Sequence, residues 1–173
     1  MGYIKALPCL TLLAVSLLAM PQRAVAIEAD ISGTITGGLA FDHPYSSYFT
    51  NLGYAYGRGY LPHLGKTLLY APFYQSWAWD SSLTFELGVI APVRFSAANG
   101  DYLYAAGGPM LLDQATGTIA WELTFTGGTG RFAEASGSAT LVFHVDPEVW
   151  LYGGEGFTSW GGEFELIDAT LNY

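Results

Sequence analysis

Short runs of alternating apolar and polar residues recur through residues 27–173, and they predict a domain built from β-strands. No stretch keeps a helical apolar period long enough for a major helix. Turn signals separate the runs at a spacing of about 8 to 12 residues, which is typical of sandwiches and barrels. Roughly eight strands follow, and the extended segments lie at residues 31–40, 54–61, 64–70, 83–87, 93–97, 102–105, 117–126, 138–145 and 156–171.

The connections are also predicted from the pattern. Residues 42–53 are interpreted as a loop, and residues 72–82, which carry Trp77 and Trp79, as a loop or lid. Asn99-Gly100 predicts a two-residue hairpin, because both positions tolerate positive φ. One face of the last strand is expected to carry Phe164, Leu166 and Asp168.

Together these elements predict an all-β fold, a single antiparallel closed barrel of roughly eight strands. Short connections and glycine-rich strands favour closure, because closure removes exposed sheet edges and glycine permits tight coiling. A two-sheet β-sandwich is the alternative. No change of composition and no linker divides residues 27–173, so we expect one domain there.

The first 26 residues differ from the rest and predict a cleavable signal peptide. Lys5 supplies positive charge, Leu10–Met20 is apolar, and Ala24–Ala26 offers the small residues that a signal peptidase reads. The apolar run is shorter than the roughly 20 residues of a membrane span. The alternative, an uncleaved anchor, is disfavoured because Pro21 closes the run early. We therefore expect a secreted or periplasmic protein with cleavage after Ala26.

Charge and cysteine content exclude several classes of function. The chain has a net charge of −9, and loss of Lys5 and Arg23 with the signal peptide leaves −11. Nucleic-acid binding needs clusters of lysine and arginine, so the sequence predicts no nucleic-acid partner. Cys9 is the one cysteine and precedes the predicted cleavage site, which excludes a cysteine nucleophile or thiolate metal site in the mature chain. The remaining strong bases are Arg58, Lys66, Arg94 and Arg131.

Glycine-rich motifs are the most specific local signals. The most specific motif, Thr126–Gly137, is interpreted as a compact connection between two strands. In it Phe132 is expected to fill the barrel end, and Arg131 to pair with Glu134. A phosphate-binding loop is disfavoured, because no helix and no P-loop lysine follow. The three motifs are Gly57–Lys66, Phe95–Asp101 and Thr126–Gly137.

The GGTGRF segment, followed by a strand, resembles a segment of allene oxide cyclase and dirigent-like barrels. Together with the HLGK and AANGD segments it also resembles a group of uncharacterised exported bacterial proteins. The resemblance covers roughly residues 57–141. It implies an eight-stranded antiparallel barrel with an apolar cavity, in which known members guide cyclisation or coupling of reactive apolar substrates. None of their catalytic residues matches a position in this chain.

The preferred function is binding of a small apolar molecule in the barrel cavity, because aromatic loops at a barrel mouth suit such a ligand. The first alternative is a cyclase or isomerase that shapes a polyene-like substrate for ring closure. The second is a structural or surface-interaction protein without a ligand, and a homo-oligomer is compatible with each. The candidate ligand-binding residues are Tyr56, Phe73, Tyr74, Trp77 and Trp79. The candidate catalytic residues are His63, Glu86, Arg94 and Glu122.

Other chemistry has weaker support in the sequence. Glu163 and Glu165 share a strand face and would suit glycoside cleavage, but such pairs are more often a solvated face. The histidines show no HExxH spacing, and the acidic loops lack calcium-loop spacing, so no metal and no cofactor are predicted.

Overall fold

The computed structural model describes residues 26–42, 50–77, 85–113, 116–153 and 157–173. Residues 1–25, which hold nearly all of the predicted signal peptide, lie outside the described residues. The described chain is almost entirely extended. Its strands are β1 (Glu28–Asp30), β2 (Gly33–Asp42), β3 (Thr50–Leu61), β4 (Gly65–Trp77), β5 (Phe85–Val89), β6 (Val93–Ser96), β7 (Tyr102–Asp113), β8 (Thr118–Gly128), β9 (Ser136–Gly153) and β10 (Phe157–Asn172). A single 3₁₀ turn, Gly130–Phe132, joins β8 to β9.

When β5 and β6 are counted as one interrupted strand, β2 to β10 form a closed antiparallel barrel of eight strands, and β1 is one extra strand. This confirms the predicted fold class. Going round the wall, β10 pairs with β2, β2 with β3, β3 with β4, and β4 with both β5 and β6. The wall continues through β7, β8 and β9, and β9 pairs with β10 to close it. Among the described residues, no helix is long and apolar enough to cross a membrane.

At each of two places in the wall, two strands lie end to end along the same neighbouring strand. β1 and β2 lie end to end along β10, and the break between them is held by the Ser32 amide, which donates to Asp30 Oδ1 at 2.8 Å. The Ser32 side chain and, to a lesser extent, this backbone hydrogen bond lower the pKa of Asp30. β5 and β6 lie end to end along β4, and residues 90–92 separate them.

Side chains fill the described part of the barrel. Phe143 and Phe164 pack with ring centroids 4.5 Å apart, and Phe95 and Phe125 meet edge to face at 6.3 Å. Trp121 also lies inside and donates its indole N–H to the Gly108 carbonyl at 2.8 Å. An internal void of about 10 Å³, room for at most one water molecule, is lined by Leu39, Met110, Ile119, Trp121, Leu141, Phe143 and Phe164.

The loop predicted at residues 72–82 is wrong over its first half, because β4 continues through Pro72 to Trp77. Proline is tolerated there for a local reason. The Pro72 carbonyl accepts from Ile90, so this side of the residue faces the break between β5 and β6, where no donor is needed. The predicted loop at 42–53 is likewise too long, since β3 begins at Thr50. Residues 43–49 and 78–84 lie outside the described residues.

Two further predictions about local geometry are corrected. The Asn99-Gly100 turn is a longer hairpin, in which Gly100 alone takes positive φ (88°) and its amide donates to the Ala97 carbonyl at 3.0 Å. The loop therefore has three residues, 98–100, and ends on a left-handed glycine. In β10, Asp168 does not share the inner face with Phe164, because its own φ of 50° marks a bulge and places Ala169 inside instead.

The three glycine-rich motifs meet at one end of the barrel, which we call the cap (residues 62–64, 97–101 and 129–135, with Tyr173). The Ala98 amide donates to the Leu64 carbonyl at 2.9 Å, and the Thr129 amide to Tyr102 at 2.8 Å. Phe132 is fully buried beneath them, as the sequence predicts. These glycine-rich motifs therefore close one end of the barrel.

Arg131 does not pair with Glu134, contrary to the sequence prediction. Its guanidinium donates to the His63 carbonyl and lies over the rings of Phe132 and Tyr173, at 4.7 and 5.9 Å. Its backbone amide donates to Asp101 Oδ2 at 3.3 Å. Arg131 thus ties the cap segments together.

Candidate ligand-binding groove

The outer face of β3 carries unusually large side chains. Strand alternation turns Ala55 into the core, while Tyr54, Tyr56, Arg58 and Tyr60 point outward and are exposed. The partner strand β4 repeats the pattern. Its outward positions include Lys66, Leu68, Tyr70 and Tyr74. Large apolar side chains gathered on one exposed face commonly mark a binding surface.

Strand register brings these side chains together in cross-wall rows. In one row Tyr56 of β3 lies opposite Tyr70 of β4, and Tyr70 lies opposite Arg94 of β6. In the next row Arg58 lies opposite Leu68, and Leu68 lies opposite Ser96. Ser96 in turn lies opposite Tyr102 of β7 and Arg94 opposite Tyr104, so the rows extend across four strands of the barrel.

Small residues among these tall side chains leave a depression, which we call the outer groove. One part has a volume of about 560 Å³ and lies between Thr36 and Ser96. A second part of about 520 Å³ adjoins it toward Lys66. The two parts share Arg58, Leu68 and Ser96, so they form one continuous trough. Leu68 is 58% exposed and is the chief aliphatic surface within it.

The outer groove also gathers the positive charge of the domain. Of the four lysines and arginines after residue 26, three line it, namely Arg58, Lys66 and Arg94. Within the part of the chain that the structure describes, none of these three side chains forms an ion pair. Arg94 is instead held between two rings, with its guanidinium carbon 5.4 Å from the Tyr70 centroid and 5.2 Å from that of Tyr102.

One wall of the barrel, from β8 to β10, is acidic, and it begins beside the groove, because Glu163 of β10 lies opposite the groove residue Thr36. Strands β8, β9 and β10 present exposed or half-exposed acidic side chains, and His144 Nε2 lies 3.3 Å from Glu165 Oε2 among them. The acidic residues of this wall are Glu122, Asp146, Glu163 and Glu165. No group of three or more histidine, cysteine, aspartate or glutamate residues within the described ranges is arranged to hold a metal ion.

The four candidate catalytic residues do not form one cluster. His63 lies in the cap, exposed, with Nδ1 3.1 Å from the Tyr173 hydroxyl. Arg94 lines the outer groove, and Glu122 lies on the acidic wall, where it accepts from the Thr140 hydroxyl at 3.1 Å. Glu86 pairs with Ser76 through the backbone of β5, and its side chain lies outside the described residues.

The candidate aromatic residues are also divided between surfaces. Phe73 is fully buried in the core and contacts Phe41 with centroids 5.6 Å apart. Tyr56 lines the outer groove, and Tyr74 lies on the outer face of β4, 38% exposed. The side chain of Trp77 and the whole of Trp79 lie outside the described residues.

Sequence reasoning missed most of the groove. Leu68, Tyr70, Ser96 and Tyr102 were not selected, although each outward face can be read from strand alternation. The available signal was the alternation of Tyr54, Tyr56, Arg58 and Tyr60, which puts large residues where a solvated face usually carries small polar ones. Lateral register, which joins the four strands into one surface, is not encoded in any single segment.

Comparisons with known proteins identify no relative. No protein-family model matches the chain. No curated protein and no solved structure gives a significant match. The resemblance to allene oxide cyclase and dirigent-like barrels thus has no support beyond the motifs themselves, and function must be argued from the surface chemistry of the barrel.

Proposed function

We propose that this protein binds a small, largely apolar molecule, and that the outer groove is its binding site. The main support for this proposal is a continuous trough in which tyrosine rings and Leu68 lie beside a few polar groups. Each part of the trough falls in the range of about 300–1,000 Å³ that is usual for small-molecule sites, and such sites are mostly apolar with few polar groups.

The groove suits this role better than the barrel interior does. The interior void that Leu39, Trp121 and Phe164 line has a volume of about 10 Å³, which is too small for any organic ligand. The groove offers more than fifty times that volume in its first part alone. Exposed tyrosine rings, Tyr56 and Tyr70, also line the groove and offer aromatic surface to a planar ligand.

Binding is also better supported than cyclisation. A cyclase of the barrel type requires an ionisable group that faces an enclosed cavity. Of the four candidates, His63, Arg94 and Glu122 are exposed, and the Glu86 side chain lies outside the described residues. The described lining of the groove contains no carboxylate and no imidazole that would serve as a general base.

The test is a titration with N-phenylnaphthylamine, a neutral aromatic probe whose fluorescence rises in apolar surroundings. We expect saturable binding to the domain, weakened at least tenfold by Ser96→Trp, because the indole would occupy the middle of the trough. The matched control is Thr124→Trp, at an exposed outward position of β8 on the far wall. Binding that Ser96→Trp leaves intact would place the ligand elsewhere and refute the groove.

A further inference from the structure

We infer that the ligand of the outer groove is an organic anion, a planar apolar molecule that carries a carboxylate or sulfonate group. This inference rests on the proposed function and specifies its ligand class. The argument begins with the distribution of charge. Arg58, Lys66 and Arg94 share one trough in a chain of net charge −9, and the described lining of that trough holds no carboxylate. Glu163 of β10 lies opposite Thr36, at the edge of the trough.

No described carboxylate neutralises these three cations. None of the three forms an ion pair with a described carboxylate, although the domain has many more acidic residues than basic ones. Three like charges in one trough repel each other, so their proximity is unfavourable unless a negative group lies among them. An anionic ligand supplies that group.

The arrangement of Arg94 supports a specific role for it. Tyr70 and Tyr102 contact its guanidinium through their rings, at 5.4 and 5.2 Å. Ring contacts hold the planar group in place, and no described residue accepts a hydrogen bond from its N–H donors. A preorganised guanidinium fork is well suited to a carboxylate or sulfonate, which it binds through two parallel hydrogen bonds.

The rest of the trough fits the apolar body of such a molecule. Leu68 lies between Arg58 of β3 and Ser96 of β6 in the register, and Tyr56 and Tyr70 stand in the adjacent row. An acid bound by the two arginines would therefore place its rings against Leu68 and the tyrosines. The Ser96 and Thr36 side chains offer hydroxyl groups along the same trough.

The experiment compares two probes of nearly the same shape. Anilinonaphthalene sulfonate carries a negative charge, and N-phenylnaphthylamine does not. We expect the sulfonate to bind the wild-type domain at least fivefold more tightly than the neutral probe. Arg58→Gln and Arg94→Gln should each weaken sulfonate binding about fivefold, the upper end for an exposed charge pair, and leave the neutral probe within twofold.

Two further variants separate local from global effects. Thr124→Glu changes the net charge by the same amount as Arg94→Gln but on the far wall, and we expect it to leave sulfonate binding within twofold. Arg94→Lys keeps the charge but loses the planar fork, so it should fall between wild type and Arg94→Gln. Circular dichroism of each variant confirms that the barrel is folded.

The outcomes are distinguishable. If the neutral probe binds in the groove and the sulfonate binds no more tightly, the anion inference fails while the proposed function stands. If neither probe binds, the proposed function fails and the inference with it. If Arg58→Gln and Arg94→Gln instead dissociate an oligomer in sedimentation velocity, the groove binds the acidic wall of a second copy, which also overturns the inference.

Discussion

Substitution of Phe132 tests whether the most specific motif in the sequence serves the fold. The ring is fully buried at the closed end of the barrel, under Arg131 at 4.7 Å and beside Tyr173 at 5.4 Å between centroids. Phe132→Ala removes the ring and leaves a cavity that we expect the neighbouring side chains not to fill. Lost burial accounts for about 1.5–3 kcal/mol, and the residual cavity raises the total cost to about 3–5 kcal/mol.

The cavity should persist because the surrounding backbone is fixed. Asp101 accepts from the Arg131 amide and from Asn99 Nδ2, at 3.3 and 2.7 Å. Gly130, at φ 53°, lies so close to the Asp101 carboxylate that even a β-carbon would overlap it. These contacts prevent the cap from collapsing inward, so the expected loss lies toward the upper end of the range.

The assay is equilibrium unfolding in urea, followed by tryptophan fluorescence and circular dichroism. Glu134→Ala, at an exposed position of the same connection, is the control and should change the free energy of unfolding by less than about 0.5 kcal/mol. A loss below about 1 kcal/mol for Phe132→Ala would refute the plug. In that case the motif would serve a purpose other than the stability of the barrel.

Three other predictions concern two glycines, the Trp121 indole and the N-terminus. Gly37→Ala should destabilise the domain by about 3 kcal/mol, since its β-carbon would overlap the backbone of β3, whereas Gly108→Ala, with 4.0 Å of clearance, should be nearly neutral in thermal melts. Trp121→Phe should cost about 1 kcal/mol in urea unfolding, because it removes the indole hydrogen bond of 2.8 Å; an unchanged midpoint would contradict that role. Intact-mass analysis of the protein produced from the full sequence in a secreting host should show a chain that begins at Ile27, and a mass that still includes residues 1–26 would contradict the predicted signal peptide.

The fold class was predictable because alternation survives in each strand by itself. The β8 sequence reads inward and outward in strict turn, so its face is fixed by local pattern alone. The errors arose where tertiary context overrides that pattern. Pro72 lies within a strand only because the neighbouring wall is interrupted beside it, and nothing in residues 70–75 signals that break. Asp168 reverses the alternation of β10 through a bulge that its own sequence does not announce.

The candidate site was less predictable for a related reason. Arg58, Lys66 and Arg94 could be counted from the sequence as scarce bases, but their convergence depends on how β3, β4 and β6 are aligned. The aromatic residues were expected to surround a cavity, yet Phe73 points into the core and Tyr56 points out. Strand alternation decides that difference, whereas the clustering of aromatics along the chain does not.

Two short strands, β5 and β6, occupy the place between β4 and β7, and they differ in their ladder pairing with β7. Within the described residues β5 meets β7 at one residue pair, Leu87 with Met110, whereas β6 meets β7 at four. Amide hydrogen exchange should therefore be fastest along β5, through fluctuations that leave the rest of the wall closed.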